Sequence, residues 1–105
     1  YTKEAQHIIV ERIVSEKAFA LIVEDDDLDF FPKHCIILVD PKVEPLNGDY
    51  VIVANIKHNK PSIRKYIVEI DQLYLKSQIS GIGITKFTTE YKILGVILQY
   101  KVELK

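Results

Sequence analysis

Apolar residues in this chain come in short runs of strand length, each closed by a polar or turn-forming cluster. The first run, residues 18–23, breaks into five acidic residues within six positions: Glu24, Asp25, Asp26, Asp27 and Asp29. After Phe30, Phe31 and Pro32 comes a second run, 35–39, stopped by Asp40-Pro41 because proline cannot continue a hydrogen-bonded ladder. Two strands of buried composition joined by a short polar loop are how a β-fold presents a site. Asn47-Gly48 then supplies a tight reversal into a third strand, 50–56, apolar enough to be covered on both faces. A polar tip, 57–61, leads to a fourth strand, 62–70, with Arg64, Tyr66, Val68 and Ile70 on one face, and a shorter fifth strand occupies 71–76. Residues 77–84, with Gly81 and Gly83, read as a loop. In the last run, 91–104, the alternation predicts one unbroken apolar face of Leu94, Val96, Leu98, Tyr100, Val102 and Leu104. The opposite face starts apolar, with Ile93, Gly95 and Ile97, and ends polar. Gly95 inside such a strand marks a bend or a close backbone approach.

No long helical period and no internal repeat interrupts this pattern, so the predicted fold is mostly β, a compact, twisted and partly closed sheet. Residues 1–17 read as a lead-in, extended or strand, and 18–105 as the domain. At 105 residues the chain forms one domain large enough to bury its own core. It holds no methionine and begins at Tyr1, as expected for a fragment of a longer protein.

Charge changes the picture little. The formal net charge is −1 with both signs interspersed, unlike the basic face of a nucleic-acid binder. No apolar run approaches the roughly 20 residues of a membrane helix, and the first residues do not read as the basic-then-apolar pattern of a signal peptide. The single cysteine, Cys35, cannot form an internal disulfide and suits a reducing, cytoplasmic setting.

Candidate chemistry thins out under inspection. Asp25, Asp27 and Asp29 have the first three spacings of a calcium loop, but Phe30 stands at its glycine position and Ile36 at its glutamate, so a solvated acidic loop is the reading. Gly81 and Gly83 lack the third glycine, lysine and helix of a phosphate cradle. His34 and Cys35 are strand neighbours pointing to opposite faces, which makes Cys35 a core residue rather than half of a thiol–imidazole pair. His7 and His58 read as ordinary side chains, and Phe30 with Phe31 as a hydrophobic plug. Lys57, Lys60, Arg64 and Lys65 make a basic corner too small for DNA. No cofactor and no metal is expected.

The order of the pieces resembles one family: the autoproteolytic C-terminal domain of LexA, lambda-type phage repressors and UmuD. The residues that carry the resemblance are Ala18-Phe19-Ala20-Leu21-Ile22-Val23, Phe31-Pro32 and Ile36-Ile37-Leu38-Val39-Asp40-Pro41. They continue with Asn47-Gly48-Asp49 into Tyr50, then Ser62-Ile63-Arg64-Lys65-Tyr66, and Leu94-Gly95-Val96-Ile97. Such domains cut their own chain with a serine nucleophile and a lysine base. The resemblance puts Asp27 at the serine position, Leu28 at the methionine that follows it, and Arg64 at the lysine. Lys33-His34 replaces the family's Asp-Gly.

Arginine stays charged and cannot act as a general base, and a carboxylate attacking an amide gives only a mixed anhydride. Asp27 and Arg64 therefore read as a degenerate dyad, a pseudo-peptidase site with no catalytic residue, in which the two could pair in a bidentate contact. A one-residue slip would bring Lys65 to the base position at the cost of reversing every side chain on the strand.

What the resemblance implies is a dimerising, regulatory domain of a transcription factor. DNA would be reached only through a helix-turn-helix domain missing from this fragment, and release would come through a regulatory protein such as an antirepressor. A homodimer interface is expected on Leu98, Tyr100, Val102 and Leu104, an apolar face that something must cover. The alternatives are a UmuD-like protein-interaction module without a DNA-binding domain, and an active self-cleaving peptidase using Lys65 with Ser62 or Ser80.

Overall fold

The computed structural model describes residues 14–58, 60–79 and 81–102. Its regular elements are seven strands: β1 (Phe19–Ile22), β2 (Ile36–Asp40), β3 (Tyr50–Asn55), β4 (Pro61–Glu69), β5 (Gln72–Ser77), β6 (Ile84–Lys86) and β7 (Tyr91–Lys101). All pair antiparallel in one sheet of order β1-β2-β7-β3-β4-β5-β6. The mostly β class holds. The sheet stays open, with β1 and β6 at its two edges. Of the lead-in, residues 1–13 lie outside the described residues.

Each face carries a core. Val23, Phe31, Cys35, Ile37, Val39, Ile52, Ile97 and Tyr100 fill the first, which the loop after β1 covers. Val51, Val53, Leu75, Val96 and Leu98 fill the second, with Tyr66, Phe87 and Tyr91 against them. Strands β2, β3 and β7 lie between the two cores, which is why their sequences are almost continuously apolar.

Three sequence expectations need correction. The unbroken face of the last strand does not exist. Pairing with β3 skips Leu94 and pairing with β2 skips Leu98, and each extra residue reverses the alternation beyond it. Leu98 therefore points into the second core and Tyr100 into the first, at 2% and 7% exposure, while Val102 packs beside the first. Leu104 lies outside the described residues. Secondly, β1 is exposed along its whole length despite its apolar composition, because only β2 flanks it. Thirdly, the run assigned to a glycine loop continues into the short edge strand β6.

Local chemistry sets the turns. Asn47 and Gly48 form a reversal, with Gly48 at φ 93°. The turn is clamped to β4: Gly48 N–H donates to the Tyr66 carbonyl at 2.7 Å, and the Asn47 side-chain oxygen accepts from Val68 N–H at 2.8 Å. At the other end of β2, Asp40 is completely buried. Its carboxylate accepts from Ser15 N–H and Ser15 Oγ, both at 2.6 Å, and from Lys42 N–H at 2.9 Å. These bonds, led by the Ser15 hydroxyl, hold the Asp40 carboxyl below its ordinary pKa against the opposing effect of burial.

Candidate functional site

The loop between β1 and β2 is pinned at several points. Val23 N–H donates to the Cys35 carbonyl and His34 N–H to the Val23 carbonyl, at 2.9 and 2.6 Å, closing the loop at its base. Its far side reaches beyond β5, where Leu28 bridges Ile79 and Asp29 N–H donates to the Gln78 carbonyl at 2.6 Å. Phe31 is buried beneath it, edge-on to Tyr50 and Tyr100 with ring centroids 5.1 and 5.4 Å away. Phe30 stacks on Tyr50 at 5.1 Å and remains partly exposed. The aromatic plug is thus a four-ring cluster. Its burial pushes the Tyr50 hydroxyl pKa up, with the neighbouring Tyr100 adding to the effect.

The acidic run of this loop meets the β3–β4 hairpin across a cavity of about 530 Å³. Asp25 and Asp27 line it from the loop; His58, Lys60, Ser62 and Arg64 line it from the hairpin and β4. Asn55 accepts from Lys57 N–H and His58 N–H at 2.8 and 3.3 Å, shaping the hairpin tip. Ile56 N–H donates to the Glu90 carbonyl at 2.7 Å, and Lys57 pairs with the Glu90 carboxylate at 3.4 Å. The tip is therefore braced against the start of β7, which brings Tyr91 into the cavity wall.

Asp27 and Arg64, 37 positions apart in the chain, line one cavity. The bidentate contact is not made: among the described residues no ion pair joins them. The Arg64 guanidinium instead lies 6.0 Å from the Tyr91 ring centroid, and its Nη1 is buried without a hydrogen-bond partner. Lys65 points the other way, with its Nζ 5.6 Å from the Tyr50 ring centroid on the first face. The basic corner is thus divided between the two sides of the sheet. Ser62 lines the cavity, and Ser80 lies outside the described residues. Cys35 is buried, its thiol pKa raised by burial, and Glu24 rather than Cys35 is the partner of His34, at 3.9 Å on the surface. No three metal-ligating side chains converge among the described residues. The family resemblance singled out Asp27 and Arg64; the sequence reading missed Tyr91, His58 and Asn55, whose placement depends on the hairpin brace.

Two comparisons bear on this arrangement. The model of the Peptidase S24-like family matches residues 2–98. The chain belongs to that family. An uncharacterized HTH-type transcriptional regulator of Coxiella burnetii is 29% identical over 104 residues, covering 95% of this chain and 48% of that protein. Repressor protein C2 of Salmonella phage P22 is 30% identical over 92 residues, covering 83% of this chain and 43% of that protein. The chain thus spans a little under half the length of these two relatives. Its described residues contain no helix, and so none long and apolar enough to cross a membrane.

Proposed function

We propose that this domain is the regulatory, dimerising half of a cytoplasmic transcriptional repressor that has lost the serine–lysine self-cleavage of its family. The observation that carries the reading is the shared cavity: Asp27 and Arg64, where the resemblance puts nucleophile and base, line the same space. Neither residue type can perform the reaction. Ser62 lines that space too, but Lys65 lies across the sheet from it, and Lys60 is exposed, without the burial a general-base lysine needs. The names of the relatives favour a regulator, and DNA would be contacted through a helix-turn-helix domain outside this fragment. Val102 and the chain beyond it are where this reading puts the dimer contact, since Leu98 and Tyr100 are used by the protomer's own core.

The test is the intact mass of the full-length protein held for a day at pH 7 and pH 10. An unchanged mass at both is expected. A discrete pair of fragments, produced faster at pH 10, would overturn the reading and point to a working lysine.

A further inference from the structure

The open sheet ends in two unpaired strands of opposite charge. Val23 N–H donates to the Cys35 carbonyl at the end of the β1–β2 ladder, so by alternation Val23, Leu21 and Phe19 turn their backbone groups toward β2. Those of Ala20 and Ile22 face outward. At the far edge Ser77 N–H donates to the Gly83 carbonyl and Phe87 N–H to the Leu73 carbonyl, which leaves Ile84 and Lys86 facing outward. Such edges are templates for a further strand, and among the described residues none pairs with either. Apolar side chains flank both: Leu21 and Ile22 are 42% and 56% exposed, Ile82 and Ile84 63% and 59%. Charge separates them. Glu24, Asp25, Asp26 and Asp27 follow close on β1, whereas residues 72–89 hold two lysines, Lys76 and Lys86, both exposed, and no carboxylate. Two β6 edges would set lysine against lysine. Two antiparallel β1 edges would set each acidic run against Glu16 and Lys17, which offset one another. The unlike pair is the one that brings opposite signs together.

We propose that β1 of one copy and β6 of a second copy join as neighbouring strands, extending the sheet from molecule to molecule. Because the contact is between different edges, each copy keeps one edge free, and the association repeats into a ring or a filament. The strands are four and three residues long, so the contact belongs to the small, weak class and forms where several copies are held near one another. It stands apart from the loss of self-cleavage and from the dimer contact at Val102.

The experiment is sedimentation velocity of the full-length protein over a wide range of concentration, at low and high salt. Reversible association into successive larger species is expected at low salt, and high salt disperses it. The size step between species, one chain or two, reports the C-terminal dimer separately. Ile22→Pro and Ile84→Pro each remove one outward N–H and no hydrogen bond within the sheet. Neither variant associates by these edges alone, and their mixture does, because each supplies the edge the other lacks. Where a proline variant fails to fold, exposed charges carry the test. Glu24→Lys with Asp26→Lys, or Lys76→Glu with Lys86→Glu, weakens the association about tenfold or more, and all four changes in one chain restore it. No association by the parent protein would mean that another segment of the chain or a different partner covers these edges, and overturns the proposal. A folded proline variant that forms the larger species by itself, a mixture that stays dispersed, or combined reversals that fail to restore the contact overturn it equally.

Discussion

A methyl group added at Gly95 would sit 2.5 Å from Val39 Cγ1 and 3.3 Å from the Asp40 carbonyl carbon. Val39 is buried and its β-branched side chain cannot swing aside. Gly95→Ala should therefore destabilise the fold by about 1–3 kcal/mol in urea unfolding. Combined with Val39→Ala, the loss should be smaller than the sum of the two single changes, a coupling a double-mutant cycle reads directly. The close approach at Gly95 was legible in the sequence; its partner was not. The same holds for Asp40. Proline after it announced a strand end, but nothing in local sequence names Ser15, 25 residues upstream, as the group that meets the carboxylate. The fold lowers the Asp40 pKa, so its ionised form is the one favoured in the native state. That stabilisation is complete above the unfolded carboxylate pKa and is lost as pH falls through the lowered value. Ser15→Ala should lower the unfolding midpoint at neutral pH, and the gap from the parent protein should close on acidification through that range.

At the scale of elements, β7 shows where alternation misleads. Its residues alternate faultlessly in sequence, yet the extra residues at Leu94 and Leu98 reverse the face twice. A bulge leaves no compositional mark, so a period-two reading runs straight through it. In the structure Leu98 supports the second core with Val96, Val51 and Leu75. Leu98→Ala should cost about 2–5 kcal/mol of folding free energy, independent of protein concentration. A loss that vanished at high concentration would mean Leu98 acts across a dimer contact instead. Strand β1 teaches the complementary point: Phe19, Leu21 and Ile22 have core composition, but with a strand on one side only they remain 41–56% exposed. Composition reports what a residue prefers, and position in the sheet decides whether it is covered.

For the whole molecule, the mostly β class and the succession of strands along the chain, β6 apart, followed from apolar runs and turns, because each run is short and bounded; their order in the sheet was not legible there. The candidate cavity was legible only in part. Asp27 and Arg64 both line it, but their distance from one another depends on the course of the loop, fixed by Leu28 against Ile79 and by the Asp29–Gln78 hydrogen bond. That loop also seals Cys35. With the thiol buried and its pKa raised, alkylation should need an opening of the fold and run at least about a hundredfold slower than in denaturant. Brisk native labelling would show that the loop lifts on its own. The strand order carries a last consequence, for synthesis on the ribosome. β2 and β3 do not pair with each other; each pairs with β7, the last strand of the described residues. Until Tyr91 and the residues after it have emerged, the nascent polypeptide can form only a β1–β2 hairpin and a β3-to-β6 meander with no shared ladder. Both halves then present an unpaired inner edge to whatever is nearby. The sheet is completed only once β7 is available, and the interval before it is when aggregation or chaperone capture competes most strongly with folding.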